Sequence, residues 1–350
     1  MKNLFLSIAI LLVGGVLQAQ TLRRVNNNPG MAVGVNVYAT VSDAMGAASN
    51  GDYIYIEPSS YSYDNISVTK ELHFIGNGFF LNENPNTSSD KKHSYFDNIQ
   101  FDNGSQNSSI TGIYCGGSIT IQVPNITIKR CIANTINAGG YLANNMVIAE
   151  CYARQISGHS DGARNCIIRN NIVGGSISGY AGSFISGFRD GTQIINNTAI
   201  GIIQNFNCSV LNNIIDFRAT NLSFATTTPC YLCTGSTITN NLYVFTDGVP
   251  STDANCNKVT NDVENVFVAS NPWPINIDNK FQLKAGSPAE GIGFGGVSCT
   301  GGPNAGAFGG TFPYVLSGIA PIPTITKLVS TAVGNNITPL KVTISVKSNN

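Results

Sequence analysis

Charge is scarce in this chain. Of 350 residues, 19 are Lys or Arg and 19 are Asp or Glu, 11% in all, and the net charge is zero. A usual soluble domain carries about 25% charged residues. A surface so thinly and evenly charged does not track phosphates, so nucleic acid is not an expected partner. Histidine is nearly missing. His73, His93 and His159 are the only three, and none stands at the spacing that a zinc site built on a C-x-x-C pair needs. Long apolar runs are missing as well. The stretch from Leu4 to Val16 is the longest, and it falls short of the ~20 residues that a membrane-spanning helix needs. A sustained 3.6-residue pattern is also absent, because Gly and Asn interrupt every window, so long helices are not expected.

What is present is glycine (37 residues), abundant Asn, Ser and Thr, and a hydrophobic fraction of 42% rich in Ile and Val. That is enough apolar material for a large core, so the low charge does not signal disorder. The mixture suits an all-β exported protein with many turns. The first twenty residues fit the export reading: Lys2 supplies a positive start, Leu4 to Val16 is apolar, and small or polar residues follow up to Gln20. This is the pattern of a secretory signal peptide. No Cys stands at its end, so a lipid anchor is not expected, and the mature chain starts near Thr21. The protein is expected to be secreted or held on the outer cell surface, with no membrane span. Nine cysteines make an odd set. Outside the cytoplasm some of them pair. Cys230 and Cys233 form a C-x-x-C, with Cys256 some way on; a local disulfide, buried free thiols and a metal site are the open readings.

The chain carries a period. ITIKRCIA, MVIAECYA, CIIRNNIV, TQIINNTAI, CSVLNNII and STITNNLYV align on the anchors Ile128, Ile148, Ile168, Ile194, Val210 and Ile238. Three residues after each anchor stands Cys131, Cys151, Asn171, Asn197, Asn213 or Asn241. A coil that returns to the same place every ~20 residues leaves this imprint. Each return lays a short β-branched strand on the one below, about 4.8 Å away, and stacked Asn residues at the turn can hydrogen-bond along the stack. An antiparallel sandwich of short strands would explain the composition. It would not explain one anchor-and-Asn pattern at a fixed internal offset. Earlier, weaker returns run through residues 51 to 117. Before them VYATVSDAMGAASNGD reads as a short amphipathic helix, with Val41, Ala44, Met45 and Ala48 on one face and Ser42 or Asp43 near its start. A helix there would cover the open end of the stack.

YATVSDAMGAASNGDYIYIEPSSY resembles the opening of secreted right-handed parallel β-helix proteins of the pectate-lyase-like superfamily. FQLKAGSPAEGIG resembles their closing segment, and GAFGGTFPYVLSGIAPIPTI the C-terminal extension of exported Bacteroidetes members. The resemblance covers most of residues 35 to 325. It implies a right-handed parallel β-helix with a short N-terminal capping helix and a C-terminal strand extension. The expected parts are a signal peptide (1–20), an N-terminal cap (21–50), the β-helix (51–312) and the extension (313–350). It implies no particular activity, because such folds host lyases, hydrolases, adhesins and proteins with no known role.

Charges cluster at few places. Lys129 and Arg169 share the outward offset after their anchors, two coils or about 9.6 Å apart, with Ala149 between. Arg130 and Glu150 share the next offset and are placed to pair. Two near copies, ISGHSDG (156 to 162) and ISGFRDG (185 to 191), are expected to be stacked loops, with ISGYAG (177 to 182) between them in the chain. A lyase acting on acidic polysaccharide must neutralise a carboxylate and remove a neighbouring proton, through Ca²⁺ or a cation and a Lys, Arg or His base. A glycosidase needs two carboxylates about 5 to 9.5 Å apart. The motifs that the resemblance implies for calcium-dependent pectate lyases or polygalacturonases are not found. Alginate- and chondroitin-type lyases place a Lys and an Arg on neighbouring coils, and Lys129 and Arg169 come nearest to that.

If the chain is a lyase, Lys129, Arg169 and His159 are the candidate catalytic residues. Arg154, Arg164, Arg189, Tyr180 and Phe188 are the candidate substrate-binding residues, in one shallow groove. No resident cofactor is expected; Ca²⁺ belongs to the lyase reading only and would draw on Asp161 and Asp190. The competing reading treats Asp-Gly as turn residues and the charges as paired and solvated. The function expected is a secreted or surface β-helix, non-catalytic, that binds polysaccharide or is structural, and is a monomer. The alternatives are a polysaccharide lyase acting on an acidic glycan by β-elimination, and an adhesin-like fibre module.

Overall fold

The computed structural model describes residues 20–159, 161–174, 184–217, 232–245, 251–269, 277–295, 299–330 and 339–349. The anchors stack as the period requires. Ile128 is in register with Ile110 and Ile148, Ile148 with Ile168, Ile168 with Ile194, Ile194 with Val210, and Val210 with Ile238. Every one of these pairings is parallel. They belong to an eleven-stranded sheet that begins with Leu22–Val25 and Val37–Tyr38 and ends with Thr237–Thr239. A second sheet, of fourteen strands, faces it and includes Asn98–Phe101, Tyr114–Ile121, Ile132–Ala138 and Tyr152–Ser157. The chain alternates between the two sheets, so the molecule is a right-handed parallel β-helix, the hand that parallel crossovers take.

The core lies between the sheets. Ile128, Ile148, Ile168, Ile194 and Val210 from one sheet and Ile99, Ile119, Ile136, Ile156 and Ile185 from the other are buried in it. The N-terminal end is closed by the helix Val41–Ala47. Thr40 caps it by accepting the amide proton of Asp43, and Val41 and Ala44 face inward. Lys70 Nζ donates to the carbonyls of Met45, Gly46 and Ala48 at the other end, where the helix dipole favours a cation.

Six successive coils leave the anchor sheet through a single residue of positive φ. Arg130, Glu150, Asn170, Asn196, Asn212 and Asn240 hold φ between 52° and 57°. Asn enters this region most readily among residues with a side chain, which is why the repeated dipeptide Asn-Asn marks the bend. Its second member points inward. Asn171 Nδ2 donates to Asn197 Oδ1 at 2.9 Å, Asn197 to Asn213 at 3.0 Å, Asn213 to Asn241 at 2.9 Å, and Asn241 to Asn257 at 3.0 Å. The same side-chain oxygens accept backbone protons from the rung before, so this buried amide ladder is satisfied at each step.

The first member of each pair points outward and is tied down by the C-terminal part of the chain. Asn240 Nδ2 donates to the Ile292 carbonyl, and Asn212 Oδ1 accepts from the Phe294 amide. Asn196 donates to the Asn304 carbonyl, Asn170 to those of Ala307 and Gly309, and Arg130 Nη1 to that of Ile319. The segment from Ala289 to Ile319 therefore runs back along the stack, against the direction in which the coils were laid down. It covers an apolar outer flank: Tyr152, Ile172 and Ile200 pack on Phe281, Ala307 and Tyr314, and Ile214 and Leu242 on Phe267, Ala289 and Ala305. Beyond it Thr324–Ser330 and Val342–Lys347 form an antiparallel hairpin.

Cys256 and Cys299 form a disulfide across 43 positions. Cys233 is disulfide-bonded too, while Cys230 lies outside the described residues. Cys115, Cys131, Cys151, Cys166 and Cys208 are buried free thiols. Burial pushes the Cys115 thiol up to about 12 and that of Cys166 to about 11, so these are packing residues rather than nucleophiles. Among the described residues no helix is long and apolar enough to cross a membrane.

Candidate functional site

The charged residues that the sequence places in one groove fall into two groups. The first is built on the anchor sheet. Lys129, Ala149 and Arg169 share one register position on three successive coils, and Glu150, on the turn beside Ala149, lies under them. Glu150 is 2% exposed. Its Oε1 receives Lys129 Nζ at 3.1 Å and faces Arg169 Nη1 at 3.6 Å, and its Oε2 receives Arg130 Nε at 2.7 Å. The Arg169 guanidinium also lies 4.5 Å from the centre of the Phe312 ring. Three cations thus converge on one buried carboxylate. Removing a carboxylate from water costs several kcal/mol unless opposite charge and hydrogen bonds compensate it, and these cations supply both. The expected Arg130–Glu150 pair is present, and it has gained Lys129 and Arg169 as partners.

The second group lies where the second sheet runs into the loops that lead back to the anchor sheet. The two ISG motifs stack: Ile156 pairs with Ile185 and Ser157 with Ser186. Farther along, Ala163 pairs with Phe188 and Arg164 with Arg189. Glycine is required at the crossing. A Cβ on Gly158 would meet the Gly187 carbonyl oxygen at 2.0 Å, and Gly162, at φ +84°, lies directly under the Arg189 side chain. Asp190 accepts from Arg164 Nε at 3.0 Å and from Asn207 Nδ2 at 2.8 Å, and these two hydrogen bonds hold its carboxyl below the usual carboxylate range. His159 Nδ1 accepts the Asp161 amide proton at 3.1 Å. The Arg189 guanidinium sits 5.3 Å from the Phe206 ring centre. His159, Arg189, Phe206, Gln204, Ser186 and Leu232 line a cleft of about 330 Å³.

Among the candidate residues, then, His159 and Arg189 share a cleft, and Arg164 is paired with Asp190, the residue after Arg189. Lys129 and Arg169 belong to a different sheet and a different cluster. Arg154 is half-buried on the strand Tyr152–Ser157. Tyr180 lies outside the described residues. Phe188 is a correction: its ring is fully buried in the core, because the β-bridge that stacks the loops turns it inward, so it offers no face to a sugar. The aromatic surface of the cleft comes instead from Phe206. That residue follows the repeat at no fixed offset, so the period gives no signal for it.

The sequence reading missed a second feature, the outward face of the fourteen-stranded sheet. One column of side chains runs Ser67, Gln100, Thr120, Asn137, Ser157, Ser186 on successive rungs. Beside it stand Asn65 and Asn98, then Ser118, Thr135 and Gln155. The rungs interlock where they are closest: Asn98 Nδ2 donates to Asn65 Oδ1 at 2.9 Å, and the Ser118 amide to Asn98 Oδ1 at 2.8 Å. The first rungs line an open depression of about 450 Å³. Ser186 belongs both to this column and to the loop cleft, so the two form one continuous surface. Tyr141, 68% exposed, stands in the loop that follows Ile132–Ala138. The signal for the face lies in the sequence as alternation (N-I-S-V, N-I-Q-F, S-I-T-I, T-I-N-A, Q-I-S), apolar inward and uncharged polar outward. The anchor alignment, built on the other sheet, passes it by.

No protein-family model matches the chain, and no curated protein matches it. Among solved structures the chain is similar to one described as the crystal structure of pectate lyase Pel9A. Sequence identity is 14%, 85% of this chain and 98% of that chain are covered, and the TM-score is 0.46. A likeness at that level bears on neither ligand nor chemistry.

Proposed function

We propose that this protein is a secreted or surface-displayed β-helix that binds polysaccharide without cleaving it. The observation that carries the reading is the continuous surface of amide and hydroxyl side chains on the second sheet, open to solvent and running through Ser186 into the loop cleft. Such groups both donate and accept, which is what sugar hydroxyls require. The residues nearest to a lyase pair support the non-catalytic half. Lys129 and Arg169 both face Glu150, so they are engaged with the chain rather than turned to a ligand. The leader-like start of the sequence and the Cys256–Cys299 disulfide support life outside the cytoplasm.

The test is direct. The mature protein is incubated with pectate, alginate and chondroitin sulfate, and the ultraviolet absorbance of an unsaturated product is followed. The expected result is no product. Product formation that disappears in Lys129→Ala or Arg169→Ala would overturn the proposal in favour of β-elimination.

A further inference from the structure

We infer that the polysaccharide this face takes is a neutral one, lying across the strands along the stack, rather than a polyuronate. The inference rests on the binding reading above and adds the chemical class of the ligand. The column Ser67, Gln100, Thr120, Asn137, Ser157, Ser186 and its neighbour repeat every rung, about 4.8 Å apart, and no position in either is charged. A ligand that follows such a ladder meets the same uncharged donors and acceptors at each step.

One charge that touches the columns has the wrong sign for a polyuronate. Asp102, at the end of Asn98–Phe101, accepts from Ser67 Oγ at 2.5 Å and from Gln100 Nε2 at 2.7 Å. A uronate laid over these rungs would bring carboxylate against carboxylate, and like charges at close range repel. Lys129, Arg130 and Arg169 are gathered on Glu150 at the turn and the other sheet, and Arg164 on Asp190. Arg154 stands at the start of its rung, ahead of Gln155, and the Arg189 guanidinium lies against Phe206 in the cleft beyond. Tyr141, exposed in the loop after Asn137, offers an apolar ring face of the kind that packs on the C–H face of a pyranose.

The experiment is affinity electrophoresis of the mature protein in native gels. One set of gels contains mixed-linkage glucan, xylan or galactomannan; the other contains pectate or alginate. The expected result is retardation in at least one neutral gel and none in the acidic ones. Gln100→Ala and Asn137→Ala should each weaken retardation about fivefold, the loss of one net hydrogen bond. Asn137→Lys should abolish it and bring retardation in pectate. All three variants must keep the wild-type melting temperature, which sets aside misfolding. Retardation in the acidic gels alone would overturn the neutral class while leaving polysaccharide binding standing. Retardation in neither set would overturn the binding reading itself. Retardation in a neutral gel that ignores both alanine substitutions would remove the ligand from this face.

Discussion

Asn197 and Asn213 are joined twice: the backbone amide and the Nδ2 of Asn197 both donate to the one Oδ1 of Asn213, at 2.8 and 3.0 Å. Asn197 in turn receives the same pair of bonds from Asn171. Each rung is therefore donor to one neighbour and acceptor to the other, and each of these side chains is fully buried.

Asn197→Ala should break two links at once. It leaves the amide and Nδ2 of Asn171 and the carbonyl of Ile168 without their buried partner. The expected loss is about 3 kcal/mol, or about 4 °C in melting temperature for a chain of this length, read by circular dichroism. A loss under one degree would show that the ladder does not stabilise the bend.

Glu150→Gln should be costlier than its small change in shape suggests. It leaves Lys129, Arg130 and Arg169 crowded around a neutral amide. Stripping one partner from a buried ion cluster costs about 3 to 5 kcal/mol. The second substitution Arg130→Met, made on top of Glu150→Gln, should recover part of that loss, because it relieves the excess positive charge. Chemical denaturation of the single and double variants measures the recovery.

Acid should find a weak point at Asp52. Burial alone would push its carboxyl up, but the amides of Thr21 and Ser49 and the Arg23 guanidinium override burial and hold it below the usual value. A carboxyl lowered in the folded state adds stability that is present above its unfolded value of about 3.9 and is lost as pH falls through the lowered folded value. Asp52→Asn should therefore melt below wild type at neutral pH. The gap should stay constant down to about pH 5 and shrink below it. A gap independent of pH would show that Asp52 acts by packing alone.

The Cys256–Cys299 bridge closes a loop of 43 positions, worth about 4 kcal/mol in the chain-entropy account. The double variant Cys256→Ser, Cys299→Ser should melt roughly 6 °C lower. Reductant should lower the wild type but leave the variant where it is, provided Cys233 is also replaced.

How much of this could be read from sequence depended on which contacts repeat. The anchors Ile128, Ile148 and Ile168 and the Asn rungs recur at one offset, so the winding and the inward ladder were legible. The ISG loops were legible for the same reason, down to the stacking of Ser157 on Ser186. The second sheet's outward columns were present as alternation but lie a variable distance from the anchors, so an alignment on the first sheet blurs them. Phe188 was misplaced because an aromatic after a glycine gives no hint of the side it faces. The Glu150 cluster was half legible: the register of Lys129 and Arg169 followed from the repeat, but their convergence on a buried carboxylate depends on a single backbone residue of positive φ. The path of residues 289–319 was not legible at all, since its contacts join Arg130 or the first member of an Asn-Asn pair to a backbone atom 52 to 189 positions away.

That returning segment changes how the molecule can come apart. Windings that touch only their neighbours would peel from either tip, one after another. Here Ser317 holds Phe79 and Asn84 near the beginning of the pile, while Ile292 holds Asn240 near its far end. Loosening any one winding strips the strap from the others, so unravelling is a single concerted event. The same geometry sets an order on maturation. As the chain emerges, its early turns keep a greasy flank bare until Phe267, Phe281 and Ala289 to Tyr314 arrive to cover it, so the first windings must wait for a stretch made long after them.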